Sequence, residues 1–312
     1  MSAIVTGAAA PAAPSATRRP RGGLLRAIMR NRKAMVGAAL LLLFILLAAF
    51  PQLFVPWLHG DPRAIGDTPL AHPSGDHWLG TTGLGQDVYA ELIYSTRESL
   101  IIAVVAGLGA TILSVIIGVS AAYLGGFADD GLSMLTDVFL VLPTFPLIIV
   151  LATYAGKGNL TVIIIVLILT GWSYGARQMR AQALSLRNRD FLESARVRGE
   201  RSSYIIVVEM LPTMISLIVA NFLGAALYAV LTAAGLQFLG LGDPNSLSWG
   251  TMLYWAQNQG ALVNGLPAWA LSPGLAVALL GVSFALLNYA FDEISNPALR
   301  PVRRRRVKSA NS

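Results

Sequence analysis

Six long apolar runs constrain this chain more than any other feature of its sequence. They cover residues 34–55, 99–124, 132–155, 160–176, 212–240 and 272–291. A helix needs about 20 mostly apolar residues to cross the roughly 30 Å hydrocarbon core of a bilayer. The runs lack the alternating pattern of barrel strands, so helices are the spanning element. The sequence therefore predicts an all-α membrane protein with about six transmembrane helices.

The charge content points the same way. Only 12% of the 312 residues are Asp, Glu, Lys or Arg, about half of the roughly 25% found in soluble domains. A soluble fold with so few charges would expose large apolar patches. The net charge of +7 could indicate nucleic acid, but its confinement to short segments between apolar runs argues for no nucleic-acid partner. The chain has no cysteine, which excludes disulfide and thiol chemistry.

The basic residues are distributed unevenly among the connecting segments. Three segments hold twenty of the 23 Lys and Arg residues: 1–33, 177–211 and 292–312. The others lie in alternate connections: Arg63, Arg97 and Lys157. Cytoplasmic loops carry the excess of Lys and Arg, so both termini and segment 177–211 are predicted to be cytoplasmic. The first apolar run begins too late for a cleaved signal peptide, and we interpret it as an uncleaved anchor.

A charged stretch, ESARVRGERSSYIIVVEMLP, covers residues 193–212 between two apolar runs. Asp190 with Glu193 three residues later predicts a capping box that starts a helix near Phe191. Gly199 is predicted to end this helix in the left-handed conformation. Ser202 is predicted to cap a second helix that runs toward Pro212, where the fifth span would begin.

On the first of these helices, Ala195 and Gly199 are four residues apart and share a face. This spacing predicts a shallow surface that another backbone could approach closely. The residues alone leave two interpretations open: a solvated loop in which Glu193 only caps a helix, or a docking surface for a partner.

The charged stretch resembles the EAA loop of permease subunits in binding-protein-dependent ABC importers. That pattern reads E-A-A, three residues, G, nine residues and I-x-L-P. The matching positions are Glu193, Ser194, Ala195, Gly199, Leu211 and Pro212. The chain departs from the pattern at Ser194 and at Glu209, where the pattern has Ile. In that family the loop forms coupling helices that sit in a groove of the ATPase subunit, and the resemblance implies this role here.

Two further stretches are similar to the dipeptide, oligopeptide and nickel permease branch of this family. They are HWLGTTGLGQDVYAELIYSTRESL (77–100) and LQFLGLGDPNSLSWGTML (236–253), and the ending NPALRP also matches. Gln86 stands where an Arg is usual, and Ser95 where a Gly is usual. The resemblance covers roughly residues 75–301 and implies the type I ABC importer permease fold.

The resemblance divides the chain into four parts. They are a basic cytoplasmic tail (1–33), the first transmembrane helix with an extracytoplasmic loop (34–98), the ABC importer transmembrane domain with the EAA coupling loop 177–211 (99–291), and a second basic cytoplasmic tail (292–312).

The partners that the resemblance implies are a second homologous permease, two ABC ATPase subunits or domains and an extracytoplasmic binding protein. The resemblance also implies that the chain lies in the lipid of a bacterial cytoplasmic membrane. No G-x-x-x-x-G-K-[ST] phosphate loop occurs. ATP and Mg²⁺ are therefore expected on the partner ATPases, with no cofactor and no enzymatic activity in this subunit.

The solute is expected to be an oligopeptide or dipeptide, and an oligosaccharide or nickel remains open. A second class of function, an ion-coupled secondary transporter, would need coupling-ion sites and inverted repeats, and neither is visible in the sequence.

Polar residues within the runs suggest further sites. Asn221, Tyr228 and Thr232 share one helical face, which either lines the solute path or makes interhelical hydrogen bonds. Asp137 precedes Pro143 and Pro146, which predict kinks; it is either an interfacial acid or part of a gate.

Histidines and acids share the first extracytoplasmic loop: His59, His72, His77, Asp61, Asp67 and Asp76. Such ligands suit Ni²⁺ or Zn²⁺, but no tight ligand spacing is present, and we expect no metal site.

Overall fold

The computed structural model describes residues 31–56, 61–66, 68–154 and 159–295, without the side chains of residues 152 and 292–295. Most of both predicted basic tails lies outside these residues. Within the described ranges every regular element is helical, apart from one isolated bridge between Thr81 and Asp87.

Twelve α-helices and one π-helical segment follow each other along the described chain. They are α1 (Arg32–Ala49), α2 (Pro51–Phe54), α3 (Val88–Leu124), α4 (Gly126–Val141), α5 (Thr144–Tyr154), α6 (Leu160–Gly171), α7 (Ser173–Arg187), α8 (Asp190–Val197), α9 (Ser202–Tyr204), the π-helical segment (Ile205–Met210), α10 (Leu211–Phe238), α11 (Trp249–Asn258) and α12 (Pro267–Ser295).

Among the described helices, four stretches are long and apolar enough to cross a membrane, and two bent helix pairs qualify if each pair is counted as one span. Those long and apolar enough alone are Arg32–Ala49, Val88–Leu124, Ser202–Phe238 and Pro267–Phe291. The pair α4 and α5 bends by 88°, and the pair α6 and α7 by 42°. Counting each bent pair as one span gives six, as the apolar runs predict.

The third apolar run departs most from a simple span. Its helix breaks at Leu142, whose extended backbone (φ −62°, ψ 136°) is the conformation that a following proline favours. Pro143 thus produces the predicted kink, and the kink is nearly a right angle. The second span also differs, since α3 begins at Val88 instead of residue 99. The Asp87 side chain caps α3 by accepting a hydrogen bond from the Ala90 backbone N–H.

Small residues let the central helices approach closely. A Cβ on Gly107 of α3 would lie 2.9 Å from backbone atoms of Ala226 in α10. A Cβ on Gly118 would lie 2.3 Å from the carbonyl oxygen of Ala176 in α7. Such contacts are how helices associate within a membrane, where apolar burial contributes little. Helix α3 is therefore the central element against which α7 and α10 pack.

The connections gather at two opposite ends of this bundle. One end, here called the charged-loop end, carries α8 and the turn that follows α7. The other end, here called the long-loop end, carries the described parts of residues 61–87 together with residues 239–266. Arg63 joins the two long segments by donating to the Pro244 carbonyl oxygen at 3.2 Å.

Candidate functional site

The first helix of the charged loop begins without the predicted capping box. Arg189 occupies the N-cap position with extended backbone, and no side chain caps the helix. The Arg189 carbonyl oxygen instead accepts hydrogen bonds from the N–H groups of Leu192 and Glu193 at 2.9 and 3.1 Å. Asp190 and Glu193 lie within the first turn, where the positive end of the helix dipole favours acids. The prediction that Asp190 is the N-cap is wrong.

Gly199 ends α8 as predicted, with a φ of +78°. Its N–H donates to the Arg196 carbonyl oxygen at 2.9 Å, and the Glu200 N–H donates to that of Ala195 at 3.2 Å. This pair of bonds is the Schellman arrangement, which satisfies carbonyl groups at a helix end. A Cβ on Gly199 would meet nothing within 4 Å in this subunit. Conformation, and not space within this chain, therefore selects glycine here.

Ala195 does not share the exposed position of Gly199. It is fully buried and belongs to an apolar cluster with Leu192, Met179 and Met210. Helix α8 turns this side toward an apolar cluster that α3, α7 and the π-helical segment also form. The prediction that Ala195 forms an exposed shallow surface is wrong. Glu193 and Ser194 remain exposed.

The second helix of the loop is continuous with the fifth span. Ser202 is not its cap, since Arg201 holds the N-cap position without a side-chain hydrogen bond. Residues 205–210 adopt π-helical winding, and the Leu211 N–H donates to the Ile206 carbonyl oxygen. Proline lacks an N–H and crowds the carbonyl four residues earlier, and local π winding accommodates this. Helix α10 begins at Leu211 with Pro212 in its first turn, which agrees with the predicted start of the fifth span, although helical winding continues into it from Ser202.

Glu209, which departs from the EAA pattern, pairs with a charge across the turn. Its Oε1 lies 3.7 Å from Nη2 of Arg198, and Arg198 Nε lies 4.0 Å from Oε1 of Glu200. All three side chains are partly or largely exposed. The turn is therefore bridged by a small exposed cluster of ion pairs.

Two further ion pairs tie α4 to α7, the helix that leads into α8. Arg180 Nε and Nη2 donate to the two carboxylate oxygens of Asp129 at 2.6 and 2.8 Å. Arg177 Nη2 donates to Asp137 at 2.6 Å. Asp137 is exposed and paired, which agrees with an interfacial acid; its contribution to a gate stays a prediction.

A cleft of about 540 Å³ lies where α4, α5, α6, α7, α10 and α12 meet. Its described lining is Phe139, Leu140, Thr144, Thr170, Gly171, Ser173, Tyr174, Gly175, Gln178, Leu217, Ala220, Asn221, Gly224, Ala225, Tyr228 and Asn288.

The cleft contains two of the three residues predicted to line a solute path. Asn221 and Tyr228 line it, whereas Thr232 does not and is only 9% exposed. Asn221 Nδ2 also donates to Thr111 Oγ1 of α3 at 3.3 Å. Asn221 is thus both a cleft residue and an interhelical hydrogen-bond donor, so the two interpretations of this face are compatible.

Sequence reasoning missed six polar residues of the cleft: Thr144, Thr170, Ser173, Tyr174, Gln178 and Asn288. Gln178 was assigned to a loop, but α7 is helical through Arg187. Asn288 had a usable signal, because it is the only side-chain amide in the last apolar run.

At the long-loop end, the two remaining stretches that carry the family resemblance pack against each other. The Trp249 backbone N–H donates to Ser99 Oγ at 3.1 Å, and its indole N–H donates to the Leu92 carbonyl oxygen at 3.1 Å. Gln237 Nε2 lies 3.5 Å from Glu98 Oε1. The two stretches that resemble the family are therefore in direct contact with each other in the structure.

Arg63 supplies the guanidinium of this region, where the related pattern has an Arg at position 86. It contacts the carbonyl oxygens of Pro244 and Ser246 and lies 3.7 Å from the buried carboxylate of Glu91. Gln86 Nε2 donates to the Arg63 carbonyl oxygen at 2.6 Å. Gln86 thus fixes the backbone of Arg63, whose side chain supplies the positive charge.

His77 pairs with Asp87 at 2.9 Å beside the start of α3. Among the described residues no group of three His, Asp or Glu side chains could hold a metal ion. His59 and Asp67 lie outside the described residues, and the absence of a metal site stays a prediction.

Apolar helices of this length, packed in one bundle, define an integral membrane protein. Residues 114–300 match the family model described as the inner membrane component of binding-protein-dependent transport systems. Residues 22–70 match the N-terminal transmembrane domain of oligopeptide transport permease C. The chain belongs to the family of binding-protein-dependent transport system inner membrane components. The predicted membership of this permease family and the expected permease fold are thereby confirmed, and the coupling role of loop 177–211 stays a prediction.

Curated relatives carry peptide-transport names. The oligopeptide transport system permease protein of Mycobacterium bovis is 32% identical over 90% of this chain and 96% of its own length. That of Bacillus subtilis is 33% identical over 71% of this chain and 72% of its length. The dipeptide transport system permease protein of Alkalihalophilus pseudofirmus is 28% identical over 88% of each chain.

Proposed function

We propose that this chain is one of two permease subunits of an ATP-driven peptide importer in a bacterial cytoplasmic membrane. A binding protein delivers the peptide to the long-loop end, and two ATPase subunits dock at the charged-loop end. ATP and Mg²⁺ bind to those ATPases. The names of the relatives support a peptide over an oligosaccharide or nickel, which remain the alternatives.

The observation that carries this proposal is a covalent path from the charged loop to the cleft. Helix α8 follows α7 after only two residues, and α7 contributes Ser173, Gly175 and Gln178 to the cleft wall. The π-helical segment connects the other side of the charged loop to α10, which contributes Asn221 and Tyr228. A displacement of the charged loop by an ATPase is thus passed to two walls of the cleft at once, as switching by rigid helices requires.

Uptake into vesicles that contain the assembled complex tests this function. With ATP inside and loaded binding protein outside, a labelled oligopeptide should accumulate, and a proton or sodium ionophore should not prevent it. Uptake that needs an ion gradient and not ATP would instead support a secondary transporter. Affinity of the binding protein for oligosaccharides or Ni²⁺ but not for peptides would transfer the proposal to those solutes.

The orientation has its own test. Reporter fusions after Gly85 and Gly265 should report an extracytoplasmic location, and fusions after Arg189 and Lys308 a cytoplasmic one. A cytoplasmic Gly265 or an extracytoplasmic Arg189 would contradict docking of the ATPase at the charged-loop end.

A further inference from the structure

The cleft is lined by side chains that form hydrogen bonds but carry no charge. Its polar lining includes Thr170, Ser173, Gln178, Asn221, Tyr228 and Asn288, and none of its described lining residues is Asp, Glu, Lys, Arg or His. They come from α6, α7, α10 and α12, so the polar groups converge from different helices. A volume of about 540 Å³ falls within the roughly 300–1,000 Å³ range of small-ligand pockets.

Asn288 has an unused acceptor in this cleft. Its Oδ1 is buried and has no hydrogen-bond partner in the structure. Its Nδ2 lies 3.9 Å from the position that a Cβ would take on Gly224, so the amide faces the bare backbone of α10. A buried acceptor without a donor is unfavourable, and such groups in native proteins call for an explanation. Rotation of this side-chain amide would turn Oδ1 toward the cleft, where an N–H group of a bound solute would supply the missing donor.

The nearby charges are already paired and do not line the cleft. Arg177, between the cleft residues Gly175 and Gln178, binds Asp137, and Arg180 binds Asp129. An isolated ion in a low-dielectric site is costly unless an opposite charge compensates it. The cleft therefore suits groups that are neutral and that both donate and accept hydrogen bonds.

We propose that the cleft binds main-chain amide groups of the transported peptide and does not select among its charged side chains. This inference rests on the proposed function and assigns the chemistry of its cleft. Asn288 Oδ1 accepts from a peptide N–H, and the side chains of Asn221 and Gln178 offer donors and acceptors to neighbouring amides. Because every peptide carries the same main chain, one neutral cleft serves peptides of different sequence.

The test uses two variants of Asn288 in the complete transporter with saturating binding protein. The probes are two tripeptides that differ only in a central Lys or Glu, and the readout is the ratio of their ATP-dependent uptake rates. Asn288→Asp adds a charge with nearly the same shape, and should shift this ratio toward the Lys peptide by at least about fivefold, from the attraction and repulsion of unit charges at close range. Asn288→Leu should lower uptake of both peptides equally, by about three- to tenfold for a lost hydrogen bond.

Gln52→Glu is the matched control. Gln52 is exposed on α2 and does not line the cleft, so this variant adds the same charge elsewhere and should leave the ratio unchanged. Asn221→Asp provides a second charged variant of the same cleft if Asn288→Asp fails to assemble.

An unchanged ratio in an assembled Asn288→Asp or Asn221→Asp complex would overturn the inference. A change of uptake in Asn288→Leu that differs between the two peptides would also overturn it, since main-chain contacts are common to both. If the unaltered complex takes up neither peptide with ATP, the proposed function itself is wrong. If the unaltered complex takes up both peptides but the charged variants leave the uptake ratio unchanged, only the proposed chemistry of the cleft is wrong.

Discussion

The two ends of the bundle stabilise their connections in opposite ways. At the charged-loop end the turn relies on backbone hydrogen bonds around Gly199 and on ion pairs that remain exposed. At the long-loop end the polar groups are buried and interlocked: Glu91 and Gln237 are each 3% exposed. Buried polar networks are rigid when satisfied and costly when one member is lost. The comparison indicates a surface that can adapt to a partner at one end and a fixed scaffold at the other.

The largest effect is expected from Arg63→Ala at the long-loop end. It removes two bonds to backbone carbonyls and leaves Glu91 buried without its counter-charge, which typically costs about 3–5 kcal/mol. Thermal unfolding of the purified complex should show a clear loss of stability.

The exposed Arg97 on α3 is the matched control, and Arg97→Ala should have little effect. The double variant Arg63→Ala with Glu91→Gln should recover part of the loss, since the uncompensated charge is removed. Equal stability of Arg63→Ala and Arg97→Ala would show that the long-loop end is not the rigid half.

An intermediate effect is expected from Asp129→Asn. The bidentate contact with Arg180 becomes weaker, and hydrogen bonds to charged groups contribute about 1.5–3 kcal/mol. Neighbouring Asp130 is exposed and has no ion pair among the described contacts, so Asp130→Asn is the control. A cycle with Arg180→Gln should show that the two substitutions are not additive; strict additivity in unfolding measurements would mean that the pair does not couple α4 to α7.

A smaller intrinsic effect is expected from Gly199→Ala. A non-glycine residue in the left-handed region costs roughly 1–2 kcal/mol, and the structure offers space for the added methyl group. Gly131, whose Cβ would also meet nothing, lies within α4, where Ala should instead stabilise by about 0.5–1 kcal/mol.

ATP hydrolysis by the assembled complex, with and without loaded binding protein, separates strain from docking. If Gly199→Ala, and more so Gly199→Val, abolishes stimulation while the isolated subunit loses only the strain energy, the backbone of the turn contacts the ATPase. Normal stimulation of Gly199→Val would make the charged stretch a solvated loop.

The smallest effect is expected from Glu209→Ile, which restores the residue of the EAA pattern. The pair with Arg198 is partly exposed, and such pairs contribute about 0–1 kcal/mol. Unfolding should change little, and the change should shrink further at high salt because ions screen the pair. A loss of unfolding free energy above this range would show that Glu209 contributes substantially to the stability of the turn.

The sequence predicted the features that depend on composition and on one residue's conformational freedom. The six spans follow from apolar length, the kink from Pro143 and the turn from Gly199. These properties act locally, so no knowledge of neighbouring helices is needed.

The sequence did not predict features that depend on how helices meet. The burial of Ala195 requires α3, α7 and the π-helical segment to meet at α8, and the role of Arg63 requires two loops far apart in the chain to touch. Asn288 could be noticed as an isolated amide, but its convergence with Asn221 and Tyr228 needs the packing of α10 on α12. The capping prediction for Asp190 failed because Arg189 adopts the extended backbone that ends the preceding connection.

The π-helical segment before Leu211 sets the angular register of the fifth span. An α-helix turns by about 100° per residue, so one residue more or fewer between the charged loop and α10 would rotate the cleft face of α10 away from Asn288. Wide π winding absorbs an extra residue without that rotation. Deletion of a single residue within 205–210 should therefore convert the π winding to ordinary α-helix and keep the phase between the charged loop and the cleft, whereas a deletion between Leu211 and Asn221 should change it.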